Sequence, residues 1–371
     1  MINSKDISVV IQGKNIKGET KKCCQSIRKW LPGAEIIFST YTGEDVSDLD
    51  IDVLVESTDP GATLLSGKMY NNINRILTTT QTGLKKANRL YCIKMRSDLF
   101  FDNNKILNDI AEQFPKRDKK YSIFKKRVLF YPLWSRKSEM LRYQYFLETP
   151  FYLSDWFCFG LTEDIKNYFL NCPMTKEPDY SNYYKIKKNR LKGFSDLNVC
   201  WRFSPEQWFC MNFFKRYFSE AKMLCSQDTS KEKVEFSDRV LANNIVIAGY
   251  DDIGVYIQKK EYLKVSKNTH KALSMTGPWL EGVNTHLTFL KDYKKYCDPD
   301  FVIPFRYRWT QDLRIDGYIT HLQGHIKKLF NPIKTFFHWF DNVFGIVYYI
   351  VKIIFKTIYW GPYIVYKEIK K

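Results

Sequence analysis

The stretch Leu90–Phe101, LYCIKMRSDLFF, sets a short apolar run in front of Arg96-Ser97-Asp98 and then turns apolar again. A strand that leaves a buried sheet on a carboxylate puts that charge at the sheet's edge, where α/β folds bind ligands. If side chains alternate along the strand, Lys94, Arg96 and Asp98 share one face. Asp98 could tie a divalent cation, Mn²⁺ or Mg²⁺, to a diphosphate, because both ions prefer oxygen ligands and phosphates supply several. Lys94 and Arg96 could neutralise phosphate charge with or without that ion. The plainer alternatives for Asp98 are a helix N-cap or a surface pair with Arg96.

Other residues could complete such a site. Gln12-Gly13 closes an earlier apolar run; Gly13 would let the backbone approach a ligand, and Gln12 could hydrogen-bond a base or ribose. A simple turn explains the same pair. Asn71, Asn72, Asn74 and Arg75 open a helical pattern, so Asn72 and Arg75 are candidates for phosphate or sugar contacts, with capping as the structural alternative. Asp59, in the turn Asp59-Pro60-Gly61, joins this donor-side set. Two distant carboxylates could act as general base toward an acceptor hydroxyl: Asp155 in SDWF and Glu206 in SPEQW. Glu206 also suits a helix start for its dipole alone. Asp155 sits among aromatics, where a buried charge needs a partner. Trp156 and Trp208 could stack on sugar faces or simply fill core.

Elements must position these groups. Ile7–Gln12, Glu35–Tyr41, Asp52–Glu56 and Tyr91–Met95 read as strands, with helical patterns over Thr20–Trp30 and Asn71–Ala87 between them. That alternation predicts βαβ units around a parallel sheet. A helix is expected over Ile106–Phe114, then a basic hairpin-like region over Lys116–Arg127. Phe151–Gly160 reads as an aromatic strand, and Lys176–Lys192 as a polar loop. Ser204 at an N-cap, Pro205 behind it and Glu206 in the first turn mark a helix start. Val240–Tyr256 predicts one or two late strands. Three parts follow: an α/β domain over 1–265, a helical or irregular extension over 266–330, and a basic aromatic segment over 331–371.

Composition bounds the class. The 371 residues are 44% hydrophobic and 26% charged, which is globular, and the formal charge of +18 implies anionic partners. The basic runs are too short for a nucleic-acid module, so none is expected. Nine scattered cysteines without a CxxC pair predict reduced, buried thiols. The five histidines form no zinc pattern; His321 and His325 share a helix face without an HExxH. No P-loop, GxSxG or GxGxxG occurs. The polar N-terminus argues against a signal peptide. From Asn331, polar or small residues recur at Lys334, His338, Asp341, Gly345, Tyr348, Lys352 and Lys356, one stripe on an otherwise apolar helix. Its charge-free stretches are too short to span a bilayer, so it is expected to lie on an anionic membrane surface, or against the domain or a partner subunit.

The series VVIQG (Val9–Gly13), WLPGAEIIFSTY (Trp30–Tyr41), STDPG (Ser57–Gly61), NNINRILTTTQTGLKKA (Asn71–Ala87) and YCIKMRSDL (Tyr91–Leu99) resembles the WavE family of lipopolysaccharide-synthesis proteins. SDWFCFG and SPEQ continue the resemblance, which covers about residues 7–260. It implies a bacterial glycosyltransferase with a GT-A-like, Rossmann-type mixed sheet flanked by helices. Such an enzyme would move a sugar from a nucleotide-sugar donor to a glycan or glycolipid acceptor in lipopolysaccharide or capsule assembly. It would work peripherally at the cytoplasmic face of the inner membrane. Asp98 would then match the last carboxylate of a DxD element, with Arg96 where the first Asp would stand. Nucleotidyl transfer on the same fold, or a non-catalytic scaffold of a polysaccharide machine, are the competing expectations.

Overall fold

Every residue of the apolar run Ile7–Gln12 is buried in β1, as expected of a parallel strand covered on both faces. The computed structural model describes residues 1–64, 70–141, 145–176, 202–226, 228–258 and 283–304. These all belong to a single unit that takes in Met1–Ala272 and Gly282–Thr310.

The further strands are β2 (Glu35–Tyr41), β3 (Val53–Ser57), β4 (Thr63–Leu64), β5 (Tyr70–Asn71), β6 (Tyr91–Arg96), β7 (Leu99–Phe101), β8 (Val128–Phe130), β9 (Ser138–Leu141), β10 (Tyr145–Glu148), β11 (Phe157–Leu161), β12 (Ile245–Ile247) and β13 (Val255–Ile257). Seven of them form one sheet in the order β12-β8-β11-β6-β1-β2-β3. Strand β11 alone runs against its neighbours β6 and β8; the other adjacent pairs are parallel. The chain winds outward from β1 through β2 to β3, then returns to place β6 on the other side of β1. The order therefore reverses between β1 and β6, the point at which doubly wound sheets open a crevice at their carboxyl ends.

The helices are α1 (Glu19–Trp30), α2 (Ile73–Lys86), α3 (Thr162–Phe169), α4 (Pro205–Phe214), α5 (Lys231–Asn244), α6 (Tyr250–Ile253) and α7 (His286–Tyr296). Helices α2 to α5 and α7 share one apolar cluster with a face of the sheet, through Leu77, Ile165, Phe209, Val240 and Phe289 against Val10, Cys158 and Val246. Each such side chain contributes roughly 1.5–3 kcal/mol by leaving water. Helix α2 lies so close that a Cβ on Gly83 would fall 2.6 Å from Val10 Cγ1 and 2.8 Å from Ser39 Cβ. Helix α1 packs beside β7, and Phe101 of β7 meets Phe157 edge-on at 6.3 Å.

The fold class agrees with the expectation, a mixed α/β sheet flanked by helices. Several elements differ. Ile106–Phe114 is not a helix but two 3₁₀ turns, Lys105–Asn108 and Ile110–Gln113, split by Asp109 at φ +47°. Lys116–Arg127 forms no strand; Arg117 and Arg127 turn inward and donate to backbone carbonyls, including those of Asn243 and Ala242. Val240–Asn244 ends helix α5, so strand structure starts only at Ile245. Asn71 belongs to β5, and the helix after it opens at Ile73. Most of Lys176–Lys192, the 265/266 boundary, His321, His325 and the segment 331–371 lie outside the described residues. Of the expected 266–330 extension, 283–304 is described, and its helix α7 packs on α5 and β12.

Candidate active site

The carboxyl ends of β1 and β6 stand side by side, with Gln12 in register with Arg96. Gly13 follows at φ +115°, and its backbone N–H donates to the Ser39 carbonyl at 3.1 Å. A Cβ there would meet Ser97 Oγ at 3.8 Å, while Ser97 itself donates to the Lys14 carbonyl at 3.0 Å. The turn after β6 thus fastens the loop after β1. Gln12 is buried, and its side-chain oxygen accepts from the Thr79 hydroxyl at 3.0 Å. Here it ties β1 to α2.

Strand β6 ends at Arg96, and Asp98 lies in the turn beyond, so alternation along the strand does not by itself align it with Lys94 and Arg96. The two charges meet all the same. Arg96 Nε and Nη2 donate to the two Asp98 carboxylate oxygens at 3.0 and 2.7 Å. Asp98 is fully buried; the Arg96 side chain is 24% exposed. The guanidinium also lies over the Trp156 ring, 3.8 Å from its centroid. Asp98 was the expected ligand of Mn²⁺ or Mg²⁺. Both its oxygens are held by a guanidinium, and no three His, Cys, Asp or Glu side chains converge as a metal site among the described residues. Such an ion is held by one or two carboxylates together with substrate phosphates, so Asp98 would join it only by giving up an oxygen of the Arg96 fork.

On the outer donor side, Arg75 grips Asp59 with a second fork, Nε and Nη2 at 2.7 and 2.6 Å. The fork and the Gly61 N–H hold the Asp59 carboxyl below its ordinary range. Tyr41 at the end of β2 donates to the Arg75 carbonyl at 3.2 Å. Asn72 is exposed and its side chain makes no capping bond; buried Asn71 instead accepts from the Ile73 N–H at 2.8 Å.

The reversed strand delivers the rest. Because β11 runs antiparallel to β6, with Phe157 opposite Met95, its entry residues Asp155 and Trp156 fall at the carboxyl edge of β6. Lys94, fully buried, donates to the Asp155 carbonyl and lies 5.5 Å from the Phe169 ring centroid. Burial pushes the Lys94 amine below its ordinary value, and the Asp155 charge works against that shift. Helix α4 starts where its capping residues predict: Ser204 caps it, accepting from the Gln207 N–H at 3.2 Å. Glu206 in its first turn is buried. Burial and then the neighbouring Asp155 charge raise its carboxyl well above the usual range, despite Ser204 and its own N–H.

Sequence reasoning missed the loop after β8. Arg136 is buried and its positive charge favours ionised Glu206. Its N–H donates to the Tyr152 carbonyl at 3.0 Å, and it pairs as an antiparallel bridge with Val283. Trp134, two residues earlier, adopts φ +66°, a conformation that a bulky residue holds only against a steric cost. Such strain gathers at functional sites. Ser135 knits the loop together: its Oγ donates to the Tyr131 carbonyl at 2.6 Å and accepts from the Ser154 N–H at 2.9 Å. The only local signal was a Trp-Ser-Arg-Lys run behind a short apolar strand. Trp208, by contrast, is core, its indole donating to the Pro173 carbonyl at 2.9 Å.

The structure thus brings Gln12, Gly13, Lys94, Arg96, Asp98, Asp155 and Glu206 to one edge, with Asp59 and Arg75 beside the end of β2. Among the described residues no helix is long and apolar enough to cross a membrane. No curated protein matches the chain. A family model described as WavE lipopolysaccharide synthesis matches residues 7–315, well beyond the motifs that end near residue 260. This chain belongs to the WavE lipopolysaccharide synthesis family, and its role lies in that biosynthesis.

Proposed function

We propose that the protein is a glycosyltransferase that moves a sugar from a nucleoside-diphosphate donor to a saccharide acceptor, lipid-linked, in lipopolysaccharide or capsule assembly. The observation that carries this reading is the buried Asp155–Glu206 pair, set at the same sheet edge as the Arg96–Asp98 fork. A nucleotide at the β1/β6 crevice would have its phosphates near Arg96 and its outer part toward Tyr41, Asp59 and Arg75. The acceptor hydroxyl oxygen attacks the anomeric carbon. The bond from that carbon to the diphosphate oxygen breaks, and its electron pair leaves with the nucleoside diphosphate. The hydroxyl proton passes to Asp155. The raised Glu206 carboxyl keeps its own proton at neutral pH, so Asp155 is assigned as the base. Lys94 and Arg136 balance that charge.

Product analysis with labelled donors tests the reading. Release of a nucleoside diphosphate supports glycosyl transfer; release of pyrophosphate would mean nucleotidyl transfer instead. Asp155→Asn should lower turnover about 10²- to 10⁴-fold, the usual span for a general base, while leaving donor affinity unchanged. We further propose that residues 331–371 hold the enzyme peripherally at the cytoplasmic face of the inner membrane. Removing them should abolish binding to anionic vesicles; retained binding would refute the anchor.

A further inference from the structure

A diphosphate at the crevice between β1 and β6 brings negative charge that something must meet. A divalent cation there would take oxygens from the phosphates and from at least one protein carboxylate. The carboxylate in the β6 turn, Asp98, is instead committed to Arg96 through both oxygens, and its side chain is 1% exposed. Arg96, not Asp98, faces outward.

The guanidinium is held on two sides. Asp98 fixes its Nε and Nη2 edge, and the Trp156 ring covers one face of its plane, with Cζ 3.8 Å from the ring centroid. The Arg96 N–H donates to the Trp156 carbonyl at 3.1 Å, which locks the backbone beneath it. Nη1 carries no hydrogen bond among the described residues. Arginine stays charged at any physiological pH and presents a planar fork suited to phosphate oxygens. A cation already locked in place loses little freedom on binding, which is the advantage of preorganisation. Gly13, with no Cβ, leaves room for a ligand to reach the backbone beside it.

We propose that Arg96, clamped between Asp98 and Trp156, is the fixed cation of the donor diphosphate site, so that nucleotide binding here needs no divalent metal. In this assignment Asp98 orients the arginine and is not a metal ligand. The inference rests on the nucleotide-donor reading above.

The test is thermal shift and calorimetry on the full chain with UDP, GDP, CDP, ADP and TDP, in EDTA and again with Mn²⁺ or Mg²⁺. At least one nucleoside diphosphate should bind in EDTA with an affinity within about threefold of that with metal. Arg96→Ala should weaken that binding about ten- to a hundredfold, the worth of a charge-assisted bond to phosphate. Arg96→Lys, which keeps the charge and loses the fork, should fall between and guards against a variant that fails to fold. Binding that appears only with Mn²⁺ or Mg²⁺ would overturn the inference and leave the donor reading standing. Binding of none of the five under either condition would overturn the donor reading itself, and the inference with it.

Discussion

The two halves of the sheet handle charge in opposite ways. On the β1–β3 side, ion pairs are forks between residues close in sequence and part-exposed: Arg75 with Asp59, and Arg28 with Asp50 and Asp52. On the β8–β11 side there are exposed pairs too, such as Lys125–Glu163, but one set of charges is buried and gathered from distant segments. Lys94, Asp155 and Glu206 come together there. Behind them Lys137, 14% exposed, bridges Asp238 of α5 and Asp292 of α7. The neighbouring Arg136 and Lys137 serve different ends, Arg136 acting on Glu206 and Lys137 anchoring the loop to two helices. The contrast teaches that the first half tolerates loss of a pair because water can replace it, whereas the second cannot lose one cheaply.

Three changes would break or sharpen that contrast. The largest effect is expected of Lys137→Ala, which strands two acids of low exposure. It should cost about 3 kcal/mol at neutral pH by denaturant unfolding, the lower end for a buried pair that loses one partner. Without Lys137 the Asp292 carboxyl, already raised by burial, rises further, so the variant should regain stability as pH falls and Asp292 takes up a proton. A loss below about 1 kcal/mol would place this cluster with the exposed pairs.

Glu206→Gln comes next. Its folded carboxyl titrates above its unfolded value, so the folded state holds a proton that the unfolded state has released. Stability from this group is complete below the unfolded value, near pH 4.3, and is lost as pH rises through the folded one. The wild type should therefore lose stability relative to Glu206→Gln between pH 5 and 8, by at most about 1.4 kcal/mol per pH unit. Parallel melting curves read this directly; a constant difference across that range would mean Glu206 is ionised in the fold.

The smallest effect is expected of Arg75→Ala. Its pair with Asp59 has both side chains about 30% exposed, so screening should hold the loss to roughly 0.2–1 kcal/mol. A loss above about 2 kcal/mol would show that the outer donor side is as tightly coupled as the inner one, and the contrast would fail.

Much of the first half was legible in the chain. Buried parallel strands read as unbroken apolar runs, which is why β1, β2 and β6 were found. Helix α4 was found from Ser204-Pro205-Glu206 because N-terminal capping is decided by adjacent residues. The misreadings have local causes. Ile106–Phe114 has helical spacing, but Asp109 takes a left-handed conformation that spacing does not reveal. Val240–Asn244 leads straight into the β-branched run Ile245-Val246-Ile247 and reads with it, yet it continues a helix whose burial comes from α7 and the core.

The sequence by itself determined the βα alternation and the family, because each depends on neighbours along the chain. It nominated Asp155 and Glu206 but could not join them. That required β11 to run backwards beside β6 and α4 to point its first turn at the same edge. For Arg136, whose partners arrive from three other segments, it offered only a Trp-Ser-Arg-Lys run that does not say what the arginine faces. Nor could it say that Asp98 would spend both oxygens on Arg96 rather than reach outward. Burial decides that: only the packed sheet excludes the water that would otherwise hold a lone carboxylate open.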